Sequence, residues 1–498
     1  MLLSKSVEHE FIVQDTIEIR DYQINLAQQA KSENSLIILP TGLGKTTIAL
    51  HVIADCLSKR KGGILFLAPT RVLVNQHYEF LKKTVRLDDI ALITGEDLMA
   101  KRKKLWINSI ICATPEIVRN DIIRKLVDVN QFSLVIFDEA HRAVGDYAYA
   151  TIAEQLNIDS TRILGMTATL PSEKEKAKEI CDNLHIKNIA ERSDSSPDVI
   201  PYIQKTDTEW IKVDLTPEMK IIQRHIKLAL EQRYTELRRN GLRLSDNKSL
   251  SQLLNARQYV LKQNIRSAKP LFTAIRITYA LNIFEAHGIT SFLKFCERTQ
   301  NKKGAGIKEL FETDLNFTAA INLAKDEQSK GIEHPKINKL CDILRDIESK
   351  VLIFSSYRDS VNVIHKKLTD MNIQAEILIG KAGDTGLKQE KQVETVQKFR
   401  QGVTKVLVAT RVGEEGLDIS EVNLVIFYDN VPSSIRFVQR RGRTGRKDSG
   451  RLVILIAKDT IDEAYYWIGK RKIKSASNMA EKLTKHLEKT ERVIDDFF

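Results

Sequence analysis

Cysteine is scarce in this 498-residue chain, and its five residues, Cys56, Cys112, Cys181, Cys296 and Cys341, stand far apart. That spacing excludes a paired-cysteine metal cluster and a disulfide framework, and fits core thiols in a reducing interior. Long apolar runs are missing too. None approaches the ~18 residues that cross a bilayer, and no secretory core follows Met1-Leu2-Leu3-Ser4-Lys5. A soluble, intracellular (cytoplasmic) protein without membrane contacts is expected. Acid is in deficit: 65 Asp and Glu against 77 Lys and Arg leave a net charge of +12. A polyanionic partner fits that balance. The length suits two or three domains, and 42% hydrophobic residues can fill their cores.

Four strings carry the chemistry. In Pro40-Thr41-Gly42-Leu43-Gly44-Lys45-Thr46-Thr47, small residues let successive N–H groups point at one anion, Lys45 adds charge near the β- and γ-phosphates, and the Thr46 hydroxyl can reach magnesium. A strand-like run before it and a helix-like run after it give this loop its expected setting, although Leu39 stands where the usual fingerprint has glycine. The run Leu134-Val135-Ile136-Phe137 ends on Asp138-Glu139-Ala140-His141. A carboxylate at the end of a parallel strand reaches the phosphate loop, so Asp138 is assigned to the metal, Glu139 to the attacking water and His141 to a relay. Thr167-Ala168-Thr169 forms a short hydroxyl-rich link. Last comes Gln439-Arg440-Arg441-Gly442-Arg443-Thr444-Gly445-Arg446. There Gln439, Arg443 and Arg446 are placed in the catalytic set, the two arginines able to stabilise transferring-phosphate charge from another domain. Arg440 and Arg441 are read instead as local ion pairs, and for them and Arg451 nonspecific contact with nucleic acid weighs as much as catalysis. The implied cofactors are ATP and Mg2+, with Thr41, Gly42, Leu43, Gly44, Lys45, Thr46 and Thr47 around the phosphates.

In this order the strings resemble the superfamily 2 helicase core, and further matches fill the gaps: Arg20-Asp21-Tyr22-Gln23, Ala68-Pro69-Thr70-Arg71, Ala113-Thr114-Pro115-Glu116, Val351 to Tyr357 and Ala409 to Ile419. The wording is most similar to the archaeal Hef helicases and the Fanconi anaemia M protein. This resemblance implies that Gln23 reads adenine, that Gly416 and Asp418 touch nucleotide, and that Thr70, Arg71, Thr114, Ser355 and Thr410 face the nucleic-acid backbone. Arg411 departs from the small serine expected there.

The organisation is α/β: two RecA-like parallel-sheet lobes with an inserted helical domain. Six strand-like runs from Leu36–Leu39 to Arg162–Met166 alternate with helical stretches in a first lobe, residues 1–205, and the same grammar returns from Val351–Ser355 to Arg451–Ala457 in a second, residues 336–470. Residues 206–335 between them do not alternate and have few glycines or prolines, so an inserted helical domain is expected. From Thr216 to Gln300 it carries 15 Lys and Arg against six Asp and Glu. That surplus suits a phosphate-lined partner, with Arg224, Arg233, Arg238, Arg239 and Arg243 as candidate contacts; the bland reading is a solubilising surface. The family's own insertion implies a grip on forked, branched or duplex DNA.

Residues 471–498 are read as a helical tail ending in Glu491-Arg492-Val493-Ile494-Asp495-Asp496-Phe497-Phe498, whose form resembles a sliding-clamp-binding peptide with Glu491 in place of glutamine. Ile494, Phe497 and Phe498 either plug a partner's pocket or tuck into the second lobe. No Glu-Arg-Lys-x-x-x-Asp nuclease signature is present, so remodelling without strand cleavage is expected. The reading is a DNA helicase or translocase of replication-fork repair. A double-stranded-RNA-dependent ATPase and a nucleotide-switched scaffold are the alternatives.

Overall fold

The computed structural model describes residues 6–59, 62–203, 206–244, 249–304, 306–345, 347–380, 387, 389–413, 422–444 and 450–495. The first lobe is built on seven strands: β1 (Ser35–Ile38), β2 (Gly63–Leu67), β3 (Ile90–Ile93), β4 (Ile110–Ala113), β5 (Phe132–Asp138), β6 (Arg162–Thr167) and β7 (Asn188–Glu191). They lie in the order β3-β4-β2-β5-β6-β1-β7, with parallel pairing throughout. Apolar residues on both faces of these strands meet helices on both sides, as a parallel sheet requires.

The second sheet holds β8 (Thr206–Val213), β9 (Val351–Phe354), β10 (Ala375–Leu378), β11 (Val406–Ala409), β12 (Leu424–Phe427) and β13 (Gly450–Ala457), ordered β10-β11-β9-β12-β13-β8. Here the expected boundary at 206 needs correction. Residues 206–213 pair in parallel with β13 along its whole length, Thr206 opposite Gly450 and Val213 opposite Ala457, so the second lobe starts before the insertion. This strand was missed because it is an edge strand only half-buried on either face, Trp210 being 50% accessible while Ile211 packs on the lobe's core, and it shows no apolar alternation.

The insertion begins at the helix Pro217–Arg239. Thr216 caps it by accepting from the Met219 N–H, Pro217 opens it, and Met219, Ile222, Ile226, Ala229, Leu230, Tyr234 and Leu237 form its buried stripe. Its centre is the helix Ala268–His287, buried on nearly every side. Buried polar contacts bolt the insertion to the second lobe. Ser360 Oγ lies 2.8 Å from His287 Nδ1, and Glu285 Oε2 accepts the Ile461 N–H at 2.7 Å; beside them, within the second lobe, Lys336 Nζ donates to Asp462 Oδ2 at 3.0 Å and to the Tyr428 carbonyl at 2.7 Å. Burial drives the His287 pKa down to about 4, which keeps this imidazole neutral.

The tail expected from residue 471 is also redrawn. One helix, Ile461–Asp495, starts in the second lobe with Tyr466 in its core, then crosses to the first, where Met479, Ala480 and Leu483 pack with Ala177, Ile180 and Leu184. Lys472 reaches Glu173 at 2.9 Å on the way. Among the described residues no helix is long and apolar enough to cross a membrane.

Candidate nucleotide site and nucleic-acid face

β1 is buried along its length, and the Leu39 N–H donates to the Thr167 carbonyl at 3.0 Å. Leu39 thus extends the strand ladder toward β6, so glycine's freedom is not needed there. The turn follows at Gly42 (φ 90°) and Gly44 (φ 82°), both in the left-handed region that glycine tolerates, and the helix Lys45–Ser58 begins at once. Tyr22 OH and Gln23 Nε2 both donate to the Leu43 carbonyl, at 2.7 and 2.9 Å. The buried Gln23 therefore braces the phosphate loop from beneath. Lys45 Nζ donates to the Leu39 carbonyl at 3.1 Å, folded across the same loop.

Asp138 closes β5, and its Oδ2 accepts from His77 Nε2 at 2.8 Å. Burial acts to raise this carboxyl, but the hydrogen bond and charge of His77, the charge of Lys45 and the Glu139 N–H outweigh it and hold Asp138 below the usual carboxylate range. Tyr149 OH fixes the backbone by donating to the Asp138 carbonyl at 2.7 Å. Glu139 sits at φ 51°, an uncommon backbone for a non-glycine residue, and places its Oε2 3.2 Å from His141 Nδ1. His141 Nδ1 is also 3.0 Å from Thr167 Oγ1, whose own proton goes to the Thr169 carbonyl at 3.0 Å, so the imidazole is the donor. Magnesium chemistry suits this donor set: Thr46 and Asp138 offer hard oxygen ligands beside a phosphate loop.

The late arginines divide by environment. Arg440 is fully buried: its guanidinium lies over Phe354 and Phe427, 5.3 and 5.5 Å from the ring centres, and donates to the Asp429 carbonyl at 2.9 Å and to Ser356 Oγ at 3.2 Å. Arg441 pairs with Asp194 of the first lobe at 3.3 Å. Both belong to local ion pairing and packing. Gly442 lies so close to Thr41 of the phosphate loop that any Cβ there would overlap it. The two lobes therefore meet where the loop and the arginine turn face each other, beside a cleft of about 300 Å³ lined by Thr41, Gly42, Thr169, Arg441 and Gly442. Arg443 follows directly and Gln439 is buried behind it. Gly416, Asp418 and Arg446 lie outside the described residues, as do Phe497, Phe498 and the side chain of Ile494.

Thr70, Thr114, Ser355 and Thr410 stand beyond the C-terminal ends of β2, β4, β9 and β11, the edge where open α/β sheets bind ligands. Thr70 Oγ1 also caps the helix Arg71–Thr84, and Arg71 pairs with Glu96. Ser355 is fully buried, its Oγ without a hydrogen-bond partner among the described residues. In the insertion Arg224, Arg238, Arg239 and Arg243 are exposed. Arg233 is not: it is 4% accessible and bridges Asp314, Glu236 and Glu309, so it is removed from the surface set. Sequence reasoning missed His77; its signal was a histidine on the buried Val74-His77-Leu81 stripe of the helix after β2, the strand beside β5.

The DEAD/DEAH box helicase family matches residues 20–177, and the helicase conserved C-terminal domain matches residues 335–448. The crystal structure of the Pyrococcus furiosus Hef helicase domain superposes with a TM-score of 0.65 at 35% identity, covering 90% of this chain and 97% of that one. A Methanocaldococcus jannaschii protein provisionally named an ATP-dependent RNA helicase is 38% identical over 475 residues, 92% of this chain and 60% of its own length. The ATP-dependent DNA helicase MPH1 of Pyricularia oryzae is 33% identical over 490 residues, 90% of this chain and 44% of its own. The chain thus spans between about two-fifths and three-fifths of these curated relatives.

Proposed function

The chain belongs to the Hef helicase family, and from that premise we propose that it is an ATP-driven translocase that remodels forked or branched DNA in replication-fork repair. The observation that carries this reading is the meeting of Thr41 and Gly442 across one cleft, which gives the second-lobe arginines access to a nucleotide held by the first lobe. In the working site, Lys45 and the loop N–H groups hold the phosphates, and Thr46 and Asp138 hold magnesium. That ion supplies neutralisation of phosphate charge. Glu139 orients the attacking water and takes its proton, while His141 links Glu139 to Thr167 and so to the interlobe surface. Arg443 and Arg446 stabilise transition-state charge. Arg446→Ala is expected to slow DNA-stimulated hydrolysis by at least ~10³-fold with ATP affinity retained, because an arginine finger acts on the transition state. Near-normal turnover would remove the cross-cleft site.

The exposed Arg224, Arg238, Arg239 and Arg243 are the insertion's phosphate contacts. The deciding experiment is an ATPase assay with single-stranded, duplex, forked and four-way DNA and duplex RNA. Strongest stimulation by forked or four-way DNA is expected. The M. jannaschii relative is named for RNA, so RNA duplex stimulating best would transfer the function to RNA. Hydrolysis without displacement of a third strand from duplex would make the protein a nucleotide-switched scaffold. A sliding clamp is the partner assigned to residues 491–498; their deletion should abolish clamp binding by calorimetry and spare ATPase activity.

A further inference from the structure

The far end of the insertion combines features that a plain phosphate grip does not need. The turn after the helix Pro217–Arg239 and the turn after the helix Leu250–Gln263 are stitched together: Asn240 Nδ2 donates to the Arg266 carbonyl at 3.1 Å, and Asn264 Nδ2 to the Asn240 carbonyl at 3.0 Å. This brings exposed Arg238, Arg239, Arg243 and Arg266 to one tip, none of them ion-paired among the described residues. Residues 247–284 contain no Asp or Glu at all. A solubilising surface mixes both signs, whereas this stretch, which supplies Arg266, does not; Glu236 and Asp246 are the acids that flank Arg238, Arg239 and Arg243 in sequence.

At the centre of the tip, Ile265 is 67% accessible, and Tyr259 and Leu261 nearby are 50% and 51%. One exposed aliphatic residue is ordinary; three in seven residues, Tyr259 and Leu261 on the end of the helix Leu250–Gln263 and Ile265 in the cationic turn after it, call for an apolar partner. The helix Ala268–His287 separates this tip from the joint to the second lobe, a reach of about 30 Å at 1.5 Å per residue.

Phosphates flanking an exposed apolar face are what DNA presents at a fork, gap or end. Continuous duplex offers no such face until a base step is unstacked, at a cost of roughly a few kcal/mol. We propose that the turn Ile265–Ser267 is a junction-reading tip, in which Ile265 packs on the base-pair face exposed at a branch while Arg238, Arg239, Arg243 and Arg266 hold the flanking phosphates. This rests on the DNA reading above and adds the residue that selects the junction.

The test is the affinity of the full chain for a fork and for a continuous duplex of equal length, across a salt series, for wild type, Ile265→Ser and an Arg239→Ala/Arg266→Ala double variant. Melting temperature serves as the control for folding. Ile265→Ser should lower the fork-to-duplex affinity ratio about tenfold while leaving duplex affinity and its salt slope in place. It should also reduce the fluorescence of a 2-aminopurine set at the branch point. The double variant should weaken both substrates and flatten the salt slope by about 0.9 per lost contact. An unchanged ratio in Ile265→Ser, with the double variant weakened on both substrates, would overturn the tip and leave the DNA reading intact. Absence of DNA binding by wild type would overturn the DNA reading itself.

Discussion

At Gly442 the backbone is ordinary (φ −66°), so alanine there carries no conformational penalty, and its methyl group would overlap Thr41 of the opposite lobe while sitting 3.2 Å from the Val438 carbonyl of its own. Gly442→Ala should therefore keep the melting temperature and ATP affinity while cutting DNA-stimulated turnover at least ~10-fold, since small displacements of catalytic groups are costly; wild-type kcat would contradict this. Glu191 offers a second test. Burial, reinforced by Glu481, raises its carboxyl to about 7. A folded pKa above the unfolded value means that ionisation penalises the native state: the penalty is absent below about 4.5, grows between the two values and is complete above 7. Glu191→Gln should thus raise stability at pH 8, by on the order of 1 kcal/mol after allowance for solvent screening, and leave it nearly unchanged at pH 4.5. Thermal melts at both pH values decide it. The phosphate loop and Asp138-Glu139 were legible in sequence because each is one uninterrupted string with its own strand before it. His77 was not, since its partner Asp138 lies 61 positions away and only the sheet order brings them together.

Among whole elements, the helix Pro217–Arg239 shows why charge counts mislead when the face is unknown. Arg224, Arg238 and Arg239 point to solvent, but Arg233 falls on the buried stripe and is held by three carboxylates. Removing Arg233 leaves the buried Asp314 without its charge partner, while Glu236 and Glu309 stay partly exposed, so Arg233→Ala should destabilise the insertion by about 3–5 kcal/mol in denaturant unfolding, far more than Arg224→Ala. Equal effects would place Arg233 back on the surface. Helical content here was legible from spacing and from the lack of breakers. β8 was not, because a half-buried edge strand of mixed composition has no apolar rhythm and gains its identity from β13, roughly 240 positions later.

For the whole molecule, the helix Ile461–Asp495 decides how the lobes relate. Leu483 is buried in the first lobe although the helix springs from the second. Leu483→Ala should cost about 2–5 kcal/mol and lower the unfolding midpoint of the first lobe, a change that tryptophan fluorescence from the buried Trp106 in that lobe's core can follow. A midpoint shift confined to the second lobe would contradict the crossing. The two-lobed plan was legible from repeated strand grammar, but this crossing was not, because nothing in a helical stripe names the surface it will cover. The crossing also sets an order of events during synthesis. Ala177, Ile180 and Leu184 leave the ribosome roughly 300 residues before Met479, Ala480 and Leu483 arrive to cover them. At about 5–20 residues per second, a nascent first lobe waits tens of seconds with that apolar face open, a window in which a chaperone, or another nascent copy, meets it first.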